Sequence, residues 1–376
     1  MKKWYVIVLA LFSCHTKQRT QKIELSSDTV VVLNSGKAKV VFTLLGSSIV
    51  DFQLHEFPLN PFTWKLTREQ MPSNNRQFVF QGHFLCSGRW GSPSPEEIAV
   101  GIPHNGEVNT EKWEISQPLT LVDGVMKVST FCFSPTEKLD VMRTVEMAEQ
   151  SSFFYVTETF TNRLPIGRPF NVVQHGTVAA PFLSSSTLID TNAEWGFNQK
   201  DSTHQIEKNP FKFPHGIDLG RKVNLRTTTD TASFVTTHIF PKETSVAWLT
   251  ATSPENCLVL GYVWNPAEYP FVNIWNQKDD EKKPVALGLE FGTTGKGIQY
   301  KELLKNGGGK FMGIYSFDYI EPNEAKTYHY GCFLAKAPKN FLGVGKLEID
   351  GQKIILYEYG KGERSIVVDM GKDFLK

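Results

Sequence analysis

Apolar and β-branched residues run along this chain in short blocks divided by Gly, Pro, Asn and Asp. In Lys127-Val128-Ser129-Thr130-Phe131-Cys132-Phe133 apolar and polar residues roughly alternate, as a strand with one wet face requires. The blocks 30–33, 38–45, 125–133, 138–147, 153–160 and 257–264 are rich in β-branched and aromatic residues and are predicted as strands. Asp123-Gly124 and Asp350-Gly351 each sit between two such blocks, the signal of a tight hairpin. No segment sustains a period of 3.6, and the best place for a helical turn is Lys301 to Lys305. Many short strands punctuated in this way predict an all-β protein, a large antiparallel sandwich. Residues 27–340 contain no Pro/Ser/Gly linker and no repeat, so they are expected to form one domain. Residues 341–376 read as an extension packed on the sandwich, with a hairpin at 345–356 and a last strand at 365–369, expected to add to its edge. The polar stretch 198–222, with His204 and His215, reads as a surface insertion near the rim of any groove.

The N-terminus carries a different pattern. Lys2 and Lys3 precede an unbroken apolar run from Trp4 to Phe12, then Ser13 and Cys14. The run is far shorter than the ~20 residues a membrane-spanning helix needs, and the order is that of a secretory signal. With cysteine at the cut, the segment resembles a bacterial lipoprotein signal. That resemblance implies removal of residues 1–13, lipidation of Cys14, and a polar tether over 14–26. The protein would then be anchored in the cell envelope, facing the periplasm or the surface. The alternative is a plain secretory signal with an incidental Cys14.

Charge and composition narrow the partners. The chain has 40 basic and 39 acidic residues. It therefore lacks the basic footprint of a nucleic-acid binder, and a neutral ligand is expected. Cys86, Cys132, Cys257 and Cys332 are widely spaced with no C-x-x-C unit, which argues against zinc. Buried free thiols are preferred over one or two disulfides. No metal-binding, phosphate-cradling or nucleophile-elbow motif occurs. The 27 Phe, 11 Tyr and 8 Trp supply core volume and also flat faces for stacking.

Two polar islands interrupt the apolar blocks. One is Gln174-His175-Gly176-Thr177, followed by Pro181-Phe182-Leu183; the other is Gly288-Leu289-Glu290-Phe291-Gly292-Thr293-Thr294. If the fold joins them, His175 and Glu290 form an acid–base pair able to move protons on a neutral substrate. Otherwise His175 is a satisfied packing residue and Glu290 a solvated one.

Four segments in order carry a resemblance: 82–91 (Gly-His-Phe-Leu-Cys-Ser-Gly-Arg-Trp-Gly), 101–108 (Gly-Ile-Pro-His-Asn-Gly-Glu-Val), the Gln174-His175 segment through Leu183, and 288–294. Over roughly residues 75–335 the chain resembles the aldose 1-epimerase (galactose mutarotase-like) superfamily. The resemblance implies a β-supersandwich with a sugar groove on one sheet, and no cofactor. It implies that His175 is the general acid and Glu290 the general base of ring opening, facing each other across a pyranose. It places Arg89, and His104 or Asn105, at the sugar, and Trp275 is a candidate stacking face beside them by residue type. Trp90, Trp113 and Trp264 are further stacking candidates. One departure stands out: relatives carry His-Gly where this chain has Asn105-Gly106, with His104 one place earlier. On an extended strand that shift turns His104 to the other face; in a loop His104 can reach the site.

The expected function is sugar anomer interconversion by His/Glu acid–base chemistry. The alternatives are a non-catalytic carbohydrate-binding envelope lipoprotein, and a structural envelope sandwich with no sugar site.

Overall fold

The computed structural model describes residues 30–73, 78–199, 210–218, 220–229, 234–305, 309–360 and 364–375. The signal segment, Cys14, the tether up to residue 29, His204 and Gly307-Gly308 lie outside them. Strand accounts for 52% of the structure and helix for 4%, which excludes alternation of helices with a parallel sheet. Every pairing between named strands is antiparallel.

A ten-stranded sheet faces an eight-stranded one. At the centre of the first lie the strands His83–Ser87, Val172–Val178, Pro284–Gly292 and Phe271–Lys278, side by side in that order. The second is centred on Leu258–Trp264, Ala325–Lys336, Phe153–Asn162 and Leu139–Ala148. Alternation along each strand sends Leu85, Val172, Val178, Leu287, Leu289 and Phe291 inward against Phe154, Val156, Leu260 and Leu334. Asp123, at φ 50°, and Gly124, at φ 74°, turn the chain between Glu114–Val122 and Val125–Ser134, as the Asp-Gly signal predicts. The helical turn expected near Lys301 is Tyr300–Leu304.

The core is not wholly apolar. Arg143 donates from Nε to Glu158 Oε1 at 2.6 Å, and Gln174 Nε2 donates to Glu158 Oε2 at 2.6 Å. Gln174 Oε1 in turn meets His83 Nε2 at 3.1 Å. All four side chains are buried, so this network ties the eight-stranded sheet to the inner side of the strand that carries His175.

Residues 344–369 depart from the expectation of an added edge. Val344–Asp350, Lys353–Glu358 and Ser365–Asp369 form their own three-stranded sheet. Its Ile354, Leu356, Ile366 and Val368 pack on Phe153, Trp248, Val259, Val263 and Phe333. Those five residues are the outward-facing alternates of the eight-stranded sheet, an apolar second face that would otherwise meet water. Cys86, Cys132, Cys257 and Cys332 are unpaired, and all but Cys257 are buried.

Candidate active site

The outer face of the ten-stranded sheet holds the chemistry. His175 and Glu290 are direct cross-strand partners, as are His175 and Phe84 on the other side. Opposite residues in a ladder point to the same face, so register alone places these three side chains together. Gly288 makes room: a Cβ there would lie 2.7 Å from Glu290 Oε1 and 3.1 Å from Trp275 Cβ.

Three excursions wall this face. The connection from Leu54 to His83 doubles back on itself and brings Trp64, Leu66 and Phe80 over the sheet. The connection after Ser87 brings Trp90, His104 and Asn105, and the segment after Gly292 brings Gly297 and Ile298. They enclose a cavity of about 510 Å³ with His175 and Glu290 in its lining. The aromatic wall is continuous. Phe80 stacks on Phe84 at 4.7 Å between ring centroids, and Phe84 stacks on the His175 imidazole at 4.2 Å. Trp275 meets His175 edge-on at 5.8 Å and Trp64 edge-on at 5.7 Å.

Within that wall His175 Nε2 lies 3.3 Å from Glu290 Oε1. His175 Nδ1 contacts Thr177 Oγ1 at 2.9 Å, and Trp90 Nε1 donates to Glu290 Oε2 at 2.9 Å. Glu290 is 1% exposed, and burial pushes its carboxyl up to about 8 against the counteracting indole hydrogen bond. Burial pushes the His175 imidazole down to about 3, and His104 adds to the fall. Both shifts are in the direction of the uncharged forms, a protonated carboxyl beside a neutral imidazole.

The structure brings most of the expected residues together. His175, Glu290, His104, Asn105 and Trp275 all line the cavity. The segment at Asn105 is a loop, with Asn105 at φ 63° and Gly106 at φ 82°, so strand parity does not separate His104 from Asn105. Gly106 has no room for a side chain, since a Cβ would fall 1.8 Å from the Ser87 carbonyl oxygen. Arg89 is not in the lining. It is buried, ion-paired to Glu97 and packed over the Tyr300 ring at 4.9 Å. Glu97 is held for that pairing by a capping box with Ser94 at the start of the helix Pro95–Ala99. Trp113 and Trp264 are core residues, their indole N–H groups donating to the Val108 and Tyr269 carbonyls. His175 and Glu290 do not face each other across a ring-sized gap, because adjacent strands set them in contact. Sequence reasoning missed Trp64, Phe80 and Phe84 as walls and Thr177 as the partner of His175. Only Thr177 carried a signal, as the i+2 neighbour on the same strand face. Among the described residues no group of three or more His, Cys, Asp or Glu side chains could hold a metal ion.

No family model matches the sequence, and no curated protein does. Solved structures do match. A galactose mutarotase-like protein from Clostridium acetobutylicum is similar at TM-score 0.57 and 12% identity, covering 82% of this chain and 95% of that one. A galactose mutarotase related enzyme from Lactobacillus acidophilus aligns at 0.55 and 12%, covering 83% and 99%. An aldose epimerase homologue from C. elegans aligns at 0.53 and 10%, covering 82% and 99%. The fold is thus the galactose mutarotase-like β-sandwich, and at these identities the likeness is one of fold.

Proposed function

We propose that the protein is an aldose 1-epimerase-like isomerase acting at the anomeric centre of a neutral free sugar. The observation that carries this reading is the His175–Glu290 contact inside an aromatic-walled cavity. Opening a pyranose requires a proton on the ring oxygen and removal of one from the anomeric hydroxyl. Both oxygens sit on one carbon, so two groups side by side can serve them from one edge of the sugar. The protonated Glu290 carboxyl gives its proton to the ring oxygen while the neutral His175 Nε2 takes the hydroxyl proton. The bond between the anomeric carbon and the ring oxygen breaks, leaving an aldehyde and a hydroxyl. The pair is then carboxylate beside imidazolium, and their attraction in a buried site holds that state. Closure on the other carbonyl face returns both protons. Which group begins as acid follows from burial, and it inverts the assignment implied by the family resemblance. The 3.3 Å separation is long for a hydrogen bond, which leaves both atoms open to sugar oxygens. Aromatic rings around the pair offer stacking faces to the sugar's C–H surface.

Polarimetry of freshly dissolved α-anomers across a panel of neutral sugars tests the reading. Wild type accelerates the approach to equilibrium, and His175→Asn and Glu290→Gln each remove most of the acceleration. General acid or base catalysis is worth roughly 10²–10⁴-fold, so the losses are large. Binding without acceleration would favour a carbohydrate-binding protein. That second reading draws on Asn105 standing where the related pattern has histidine, with its Oδ1 committed to the Gly91 N–H at 2.7 Å. For either reading we propose a lipidated Cys14 and an envelope location, from the signal-like start alone.

A further inference from the structure

Glu290 uses its two oxygens differently. Oε1 faces His175 Nε2 at 3.3 Å, and Oε2 accepts the Trp90 indole N–H at 2.9 Å. An indole nitrogen is a donor only, so Oε2 presents a lone pair there, and the carbonyl oxygen being the better acceptor, the arrangement favours the carboxyl proton on Oε1. Trp90 is itself fixed. Its neighbour Gly91 donates its N–H to Asn105 Oδ1 at 2.7 Å, while Asn105 donates its own N–H to the Gly91 carbonyl at 3.1 Å. Gly297 lies under the indole, where a Cβ would come within 3.5 Å of Cζ3. On the opposite side Thr177 holds His175 Nδ1 at 2.9 Å and Phe84 stacks on the imidazole, so neither partner of the pair turns freely.

We infer that Trp90, held by Asn105, is a positioning residue that fixes which carboxyl oxygen carries the proton and aims it at His175. This rests on the acid–base reading of the pair, and it gives Asn105 a part in which a non-titrating side chain is what is needed. A carboxamide at this position anchors the loop at every pH, whereas a histidine there would change its hydrogen bonding as it titrates. Because the indole hydrogen bond is stronger to a carboxylate than to a carboxyl, it also opposes the rise that burial imposes on Glu290.

The test follows Glu290 directly, without relying on turnover. Glu-labelled protein gives the Glu290 carboxyl resonance in ¹³C NMR, assigned by its loss in Glu290→Gln, and ¹⁵N-labelled tryptophan gives the indole N–H resonances. In wild type one indole resonance moves with the same midpoint as the Glu290 carboxyl, and the movement is lost in Glu290→Gln. Trp90→Phe keeps an aromatic ring but removes the donor, and the carboxyl midpoint rises by roughly 1–2 pH units, the worth of one hydrogen bond to a charged group. A folded Trp90→Phe protein with an unmoved midpoint overturns the inference. So does a wild-type set of indoles none of which follows Glu290, an outcome that decides the matter even if Trp90→Phe does not fold. Coupled titration in a protein that accelerates no sugar leaves the inference standing and removes the isomerase reading. Sugar turnover without coupled titration does the reverse.

Discussion

Gly288→Ala adds one methyl group next to the acid–base pair and nothing else. The added carbon would lie 2.7 Å from Glu290 Oε1, and ordinary contact begins at 3.4 Å, so the oxygen has to retreat by about 0.7 Å. It would also press on Trp275 at 3.1 Å from Cβ and 3.3 Å from Cε3, positions close to a backbone paired on its ladder and therefore slow to yield. The carboxyl gives way first. Its Oε1 is already 3.3 Å from His175 Nε2, so a retreat of that size breaks the contact, and turning the group instead breaks the bond from Trp90 to Oε2. Misplacing a catalytic group by ~1 Å lowers a rate on the order of 10²-fold. Overpacking lowers stability by roughly 1–3 kcal/mol, which leaves a folded protein to assay. The expected result in polarimetry is a loss of about two decades in acceleration with a modest fall in the urea midpoint. Wild-type acceleration by Gly288→Ala would refute the claim that the pair acts in the geometry seen here.

The buried core network gives a second prediction: Glu158→Leu leaves the buried Arg143 cation without its counter-ion and lowers stability by ~3–5 kcal/mol, while Arg143→Met with Glu158→Leu lowers it less. Urea unfolding of both variants checks this, and an equal or greater loss in the double variant counts against it. A third concerns pH. Burial lowers His83 and His175 to about 3 and His238 to about 4, so the unfolded chain binds the extra protons and stability falls as pH drops below ~6.5. Burial raises Glu290 to about 8 and Glu137 to about 7, so their contribution is present at low pH and is lost as pH rises from ~4.5 through those values. Unfolding free energy measured in urea should therefore peak near pH ~6.5, with an acid limb that steepens to ~2–3 kcal/mol per pH unit near pH 4 and a gentler fall of ~1 kcal/mol per pH unit toward pH 8; a profile flat from pH 4 to 8 would contradict it. Lastly, Cys14→Ser should move the protein from the membrane fraction to the soluble fraction, and a wild-type protein already soluble would end the anchor reading.

The all-β class was legible because several strands declare themselves locally, by alternation, β-branching and Asp-Gly turns. The short helix Pro95–Ala99 was missed, although Ser94-Pro95-Glu96-Glu97 is a capping box with proline at the first turn. It matters because Glu97 then takes Arg89, which removes the guanidinium from the cavity that the family resemblance suggested for it. The walls were not legible. Trp64 and Phe80 come from one irregular connection whose path is set by where it lands, not by any period in its sequence. The place of the C-terminal sheet was hidden for a related reason. Ile354, Leu356, Ile366 and Val368 alternate as any half-buried strand does, and nothing in that alternation distinguishes packing on a face from pairing at an edge.

Register decides whether this protein has a site at all. His175 pairs with Glu290 and with Phe84 because Val172–Val178 lies between Pro284–Gly292 and His83–Ser87 in one alignment. A slip of one residue would turn His175 into the core and bring Gln174 to the outer face. Gln174 is held against that slip from within, by Glu158 on the facing sheet and by His83 on the neighbouring strand. Adjacent residues on one strand thus divide the work: Gln174 fixes the alignment from the core side, and His175 uses it on the outer side. The two polar islands in the sequence are polar for different reasons along their own length. The residues that look most like an interruption of the core are the ones that determine where the chemistry stands.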